Sequence, residues 1–160
     1  MTNEEKAFLD TLSFAEGTFG KSNNGFDILV NNDPSLGDRI MKGWTSETTI
    51  QHGLDAWSVK VNGVNSTASG RYQFIGSTWK EINGNNNAPM TSTNQNNAAL
   101  KLLRKVLGND FSFEINNKNE MEQIANKIKG KWDSFNVGGK NSASQLFNWY
   151  SIALEKYNKG

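Results

Sequence analysis

Cysteine is absent from the 160-residue chain. Its absence excludes disulfides, thiolate catalysis and cysteine-ligated zinc or iron–sulfur sites. Histidine occurs once, as His52, so histidine-rich metal sites are excluded and a Ser-His-Asp triad would hang on that one residue. Proline is scarce, with two residues. No apolar run approaches the ~20 residues that a membrane helix needs, and no stable membrane insertion is expected. An excess of one charge is lacking as well: 17 basic residues face 16 acidic ones, a formal net charge of +1. That excludes a strongly basic nucleic-acid binder and an acidic tail protein. The opening MTNEEKAFLDTL shows no basic segment followed by an apolar core, so no secretory signal is expected.

What is present is unusual in combination. The mean hydropathy is -0.64, yet the chain carries 5 tryptophans. Asparagine is abundant, in stretches such as 83–87 and 94–97 that read as turns or helix starts. The length suits one domain, taken as residues 1–160, large enough to bury a core without a metal or disulfide. Ala7, Phe8, Leu12 and Ala15 recur at helical spacing, predicting a helix over 4–15 that stops at Gly17. FDILV, 26–30, reads as a short strand. Residues 31–55 read as turns, with a helical turn near Ile40 to Trp44. Trp57, Val59 and Val61 alternate up to Asn62-Gly63, a pair that favours a tight hairpin turn. A short helix is expected around 77–82. Ser92-x-x-Gln95 and Ser142-x-x-Gln145 read as capping boxes for two later helices, and a further helix is expected over 119–134. Trp79, Trp132 and Trp149 fall on apolar helix faces and are assigned to the core. Trp44 and Trp57 lie in the irregular middle, where a ligand is more accessible. His52 reads as a surface or loop residue. The basic groups around Lys101 to Lys105 and Lys127 to Lys131 read as solvated helix faces.

Without cysteine and with one histidine, acid–base chemistry falls to carboxylates. Glu16 is the best placed, at the end of an apolar-faced helix in SFAEGTFG. The negative end of the helix dipole and the neighbouring Phe14, Ala15 and Phe19 both disfavour an ionised carboxylate. Raising a carboxyl from about 4.3 to about 6 takes roughly 2.3 kcal/mol. A helix terminus supplies about 0.3–1 kcal/mol of that, so burial must supply most of it. A carboxyl that keeps its proton in a groove is the general acid that glycosidic-bond cleavage needs. Taken alone, Glu16 also fits an ordinary solvated helix end. The second constellation is STASGRYQF, residues 66–74. Small residues and a glycine let backbone approach a ligand, Tyr72 offers a flat face and a hydroxyl, and Gln73 both donates and accepts hydrogen bonds. Taken alone, this too fits a tight turn with its aromatics in the core.

Together and in this order, AFLDTLSFAEGT, GFDILV and STASGRYQF resemble the phage lambda lysozyme family. Gln95 to Arg104 and Ile124 to Trp132 resemble that family's later helices. The resemblance implies an α+β, mainly helical, lysozyme-like fold with a small β-lobe and a helical lobe flanking a cleft. It implies a peptidoglycan lytic transglycosylase with Glu16 as its acid and base. Ser69, Gly70, Tyr72 and Gln73 then match the cleft-lining segment, and Asp27 matches the Asp of a Gly-Tyr-Asp strand in which Phe26 replaces the Tyr. Two departures stand out. The stretch 32–65 is longer than the family leads one to expect. The loop 135–140 lacks the family's Tyr, and Lys140 there is assigned to contacts with acidic groups of the substrate.

The implied reaction cleaves the bond between N-acetylmuramic acid and N-acetylglucosamine and leaves a 1,6-anhydro end. Two alternatives stay open: a muramidase that adds water with help from a second carboxylate, Asp27 or Asp33, and a virion-associated or glycan-binding component. Asp27 is otherwise assigned to orienting a loop through backbone hydrogen bonds. The expected partner is the peptidoglycan glycan strand, with no nucleic acid, no cofactor and no metal. A monomer is expected, made in the host cytoplasm and reaching the wall after membrane permeabilisation, or else carried in the virion.

Overall fold

Residues 3–16 form α1 (Asn3–Glu16) because both ends carry their own signals. At the start, Thr2 Oγ1 accepts the Glu5 N–H and Glu5 Oε1 accepts the Thr2 N–H, a reciprocal capping box. At the end, Gly17 takes a left-handed conformation at φ 75° and returns its N–H to the Phe14 carbonyl. The expected 4–15 is therefore met within one residue at each end. The computed structural model describes residues 1–85, 87–139 and 141–160. They divide into two units, one of Met1–Gly17 with Leu100–Gly160 and one of Thr18–Ala99.

The first unit is helical. Besides α1 it holds the later part of α3 (Ser92–Leu107), α4 (Lys118–Ile128) and α5 (Ala143–Lys159). Its buried residues follow helical periods: Ala7, Phe8 and Leu12 on α1, Met121, Ile124 and Ile128 on α4, Leu146, Tyr150 and Ala153 on α5. Phe8 sits 5.2 Å from Phe113 and 5.3 Å from Phe135, ring centre to ring centre. Ser142 caps α5 by accepting the Gln145 N–H, as expected. The helix expected over 119–134 is shorter than that. Gly130, a residue costing about 1 kcal/mol in a helix interior, follows its last turn. The chain then winds through tight turns that bury Trp132 and Phe135. Trp132 is core as expected, but Trp149 is half-buried and stacks on Phe14 at 5.1 Å.

The second unit is mostly turns braced by two small antiparallel ladders. β1 (Ile28–Leu29) pairs with β2 (Arg39–Ile40), and β3 (Val59–Val61) with β4 (Val64–Ser66). Asn62 and Gly63 both have positive φ, 51° and 81°, as a two-residue hairpin turn of this sequence requires. Ile40 ends a strand, because it pairs with Ile28 and the Met41 N–H reaches the Asp27 carbonyl at 2.7 Å, and what remains of the helical turn expected near Ile40 to Trp44 is a single turn in which the Trp44 N–H donates to the Met41 carbonyl at 3.1 Å. α2 (Gly76–Asn83) buries Trp79 and Ile82. An aromatic row of Phe26, Tyr72, Phe74 and Trp79 runs through the unit at centre distances of 6.3, 6.2 and 5.4 Å. The start of α3 is capped by Thr91, whose hydroxyl accepts the Asn94 N–H. Ser92, the expected cap, is already helical, and this releases Gln95 for another use.

Candidate active site

Glu16 is the last residue of α1 and is half-buried. Its Oε1 accepts a hydrogen bond from the Ser134 hydroxyl at 2.9 Å. Ser134 stands in the turn after α4, where its carbonyl accepts the Asn141 side-chain N–H at 2.7 Å. Asn141 is itself buried. A buried amide thus fixes a serine, and the serine holds the carboxyl at the helix end. A hydroxyl can donate to a carboxylate and accept from a protonated carboxyl, so this contact is compatible with either protonation state. Sequence reasoning missed Ser134 and Asn141. Ser134 lies 118 residues from Glu16, and no local pattern pairs them.

In the second unit, residues 69–74 form a closed loop. Ser69 and Phe74 exchange backbone hydrogen bonds of 3.0 and 2.9 Å, enclosing Gly70, Arg71, Tyr72 and Gln73. The Gly70 N–H reaches the Ile28 carbonyl at 2.7 Å, which ties the loop to β1. Gln95 locks it from within the unit. Its Oε1 accepts the Arg71 N–H at 2.9 Å, and its Nε2 donates to the carbonyls of Phe26 and Met90, each at 2.9 Å. Gly70 has φ 82°, and a Cβ on it would lie 2.3 Å from Gln95 Oε1. Glycine is required there on both counts. Gln95, expected as a capping residue, is the loop's anchor. Only the tertiary fold brings its amide to three backbone groups.

Arg71 is buried with its guanidinium 5.8, 5.4 and 5.5 Å from the ring centres of Phe19, Phe26 and Tyr72. Its Nε donates to the Asn24 carbonyl at 3.1 Å and its Nη1 to the Tyr72 hydroxyl at 3.0 Å. The aromatic faces stabilise a cation that has left water.

The expected substrate residues divide accordingly. Ser69 and Tyr72 are fully buried. The Tyr72 hydroxyl donates to Asn96 Oδ1 at 2.5 Å, and its ring packs edge-on against Phe26 and Phe74. This ring is not an open stacking face; it braces the loop from beneath. Gln73 is half-buried, held at φ 52° with its Nε2 donating to the Gly70 carbonyl at 2.8 Å. A left-handed glutamine is a strained conformer of the kind that clusters at ligand sites. Asp27 is buried, and its Oδ2 accepts from Ser22 Oγ at 2.9 Å and Asn23 Nδ2 at 2.8 Å. That carboxylate organises the left-handed turn at Asn23 and Asn24, while its Oδ1 has no hydrogen-bond partner among the described residues. Lys140 lies outside the described residues.

The other aromatic and titratable expectations also resolve within the second unit. Trp44 is half-buried, stacked on Phe26 at 5.9 Å with its Nε1 donating to the Met90 carbonyl at 2.7 Å. Trp57 is half-buried and covers Gly53, where a Cβ would lie 2.3 Å from the indole. His52 is buried rather than on the surface. Its Nδ1 accepts the Leu54 N–H at 2.9 Å, so Nε2 bears the proton and donates to the Phe74 carbonyl, also at 2.9 Å. Burial pushes its pKa below the ordinary 6.5, against the opposing pull of the Phe74 and Thr67 carbonyls. The same unit carries a cavity of about 530 Å³ between the β3–β4 hairpin and the start of α2. None of the expected site residues lines it. Among the described residues no three His, Cys, Asp or Glu side chains gather as a metal site would require. No described helix is long and apolar enough to cross a membrane.

The chain is similar to known proteins in two ways. A family model described as Endolysin matches residues 6–158. Among solved structures, the chain is similar to the lysozyme of bacteriophage lambda complexed with a chitohexasaccharide. The TM-score is 0.72 at 22% identity, over 96% of this chain and 95% of that one. A second structure of lysozyme from bacteriophage lambda gives a TM-score of 0.63 at 20% identity, over 99% and 94% of the two chains. These likenesses establish a lysozyme-like fold, mixed α and β and mainly helical. No curated protein matches the chain.

Proposed function

The chain belongs to the endolysin family, and from that premise we propose that it cleaves peptidoglycan by lytic transglycosylation with Glu16 as both acid and base. The observation that carries this reading is the setting of Glu16: a half-buried carboxyl at a helix C-terminus, held by Ser134, whose hydroxyl serves either protonation state. Protonated Glu16 donates to the glycosidic oxygen that leaves C1 of N-acetylmuramic acid. The C6 hydroxyl of the same sugar attacks C1, and ionised Glu16 accepts its proton. The product is a 1,6-anhydro end, and Glu16 is protonated again. The nucleophile belongs to the substrate and is already close to its carbon, so a second catalytic carboxylate is not needed.

Asp27 takes no catalytic part in this reading. Its Oδ2 accepts from the side chains of Ser22 and Asn23 rather than from the backbone groups expected, and it is read as orienting that turn. Gly70 and Gln73 are assigned to the substrate surface, Ser69 and Tyr72 to holding that surface in place, and Lys140 to an acidic substrate group. The continuous match of the family model over residues 6–158 supports residues 1–160 as one catalytic domain. We read the enzyme as a monomer made in the host cytoplasm and acting on the wall beyond the membrane.

The test is mass spectrometry of muropeptides released from purified cell walls. The expected products carry 1,6-anhydro-muramic ends, and Glu16→Gln is expected to lower the rate by about 100-fold or more with unchanged thermal stability. Reducing muramic ends without anhydro products would overturn the chemistry. An active Glu16→Gln variant would overturn the assignment of Glu16.

A further inference from the structure

The first unit carries a cavity of about 370 Å³ between the start of α4 and one face of α5, which the catalytic reading does not use. Cavities that hold small ligands begin at about 300 Å³. From α5 the cavity is lined by Ser144, Phe147, Asn148 and Ser151. Their i, i+3, i+4, i+7 spacing is a single helical stripe. On a helix packed by its apolar side, such a stripe of amide and hydroxyl groups around one aromatic ring is not a core pattern. From the first residue of α4 and the two residues before it come Lys118, Asn117 and Asn116.

The hydrogen-bond inventory separates structural groups from available ones. Asn116 and Asn117 are engaged with Glu120, at its carboxylate and its N–H respectively. Ser151 is engaged with the Phe147 carbonyl. Ser144, Asn148 and Lys118 are exposed, and among the described residues their side chains have no hydrogen bond or ion pair. Phe147 is half-buried, its ring backed by Tyr150 in a stacked arrangement at 6.4 Å. The backing fixes the ring's orientation. Among the described residues no carboxylate lines the cavity.

We infer that this cavity is a second, non-catalytic binding site for an N-acetylated sugar strand bearing a carboxylate. The inference rests on the peptidoglycan reading. An amide that both donates and accepts suits neighbouring sugar hydroxyls or an acetamido group. An aromatic ring takes the C–H face of a pyranose. Lys118 supplies the cation for a carboxylate of the stem peptide that the muramic lactyl group carries through an amide bond. An enzyme acting on an insoluble polymer gains from a second attachment, because each anchored strand raises the local concentration of the next cleavable bond.

The test uses the full-length Glu16→Gln variant, labelled with nitrogen-15, so that binding is read without turnover. Titration with tri-N-acetylglucosamine is expected to shift the backbone amides of 116–118 and 144–151 in a saturable way. Asn148→Ala is expected to weaken that binding curve about tenfold. Lys118→Glu is expected to leave binding of the neutral trisaccharide intact and to reduce retention on purified cell-wall sacculi severalfold. Both residues are exposed, so an unchanged circular dichroism spectrum accompanies each variant. The site is overturned if no amide in the two stretches moves, if Asn148→Ala leaves the curve unchanged, or if an acidic pentapeptide binds there and the sugar does not. Anhydro products without shifts in these stretches sink this site and leave the catalytic reading. Shifts here without anhydro products do the reverse.

Discussion

The two units reach stable structure by different physical routes. In the first, helices with capped ends bury residues at helical periods, and the polar ends of those helices are closed by Thr2, Asn117 and Ser142. In the second, the ladders are two or three residues long, and side chains take over the work of backbone pairing. All five positive-φ residues other than glycine among the described residues, Asn23, Asn24, Leu54, Asn62 and Gln73, fall in 18–99. There, Gln95, Arg71, His52 and Asp27 each bond to neighbouring loop segments. The difference teaches where each unit is fragile. A helical core tolerates a change of shape at constant volume. A loop held by buried amides tolerates no change of polarity, since each orphaned group costs about 1–3 kcal/mol.

Three measurements press on this contrast. Gln95→Leu keeps most of the volume and deletes three hydrogen bonds to backbone. It is expected to destabilise by about 4 kcal/mol in urea unfolding, whereas Leu12→Met in the first unit should cost under about 1.5 kcal/mol. A loss below about 1 kcal/mol for Gln95→Leu breaks the contrast. Next come two glycines of similar φ. Gly17, at 75°, has none of the described residues within 4 Å of an added Cβ, while at Gly70, at 82°, Gln95 Oε1 stands 2.3 Å away. Gly17→Ala should cost about 1–2 kcal/mol from backbone strain alone. Gly70→Ala should cost about 3 kcal/mol or more, because steric overlap adds to that strain. Equal losses would mean that the loop yields freely around Gln95.

The smallest effect is the pH dependence from His52. Its folded pKa is lowered by burial from 6.5, so the unfolded chain takes up the proton first. The stability it confers is therefore full above about pH 6.5 and declines as pH falls through that value toward the folded pKa. Protonation of Nδ1 also ends its acceptance of the Leu54 N–H. Thermal melts between pH 7.5 and 5 should show His52→Gln with a shallower loss than the wild type. Parallel slopes would remove His52 from the account of the second unit.

How far the sequence could be read follows the same division. α1 and the cap at Ser142 rest on neighbours a few residues apart, so periodicity and residue type suffice to locate them. The Asn62-Gly63 turn was legible for the same reason, since both residues tolerate positive φ. Beyond that range, prediction failed in specific ways. β2 exists because Ile40 meets Ile28, and nothing in residues 40–44 announces it. Tyr72 was legible as aromatic and polar but not as buried; its hydroxyl is satisfied by Asn96, 24 residues away. His52 was legible as a lone histidine but not as a tautomer held by two backbone groups.

By itself the sequence determined the chemistry that was available: no thiol, one imidazole, and a carboxyl at a helix end followed by glycine. It also determined the helices, because a helix closes its hydrogen bonds within four residues. Tertiary structure decided which polar groups serve each other across long separations. The bond that holds Glu16 to Ser134 spans 118 positions, and those that hold Gln95 to Arg71 and Phe26 span 24 and 69, separations that no local period encodes. The physical reason is that a side chain's partner is set by burial, which removes water as the alternative, and burial is a property of the folded chain.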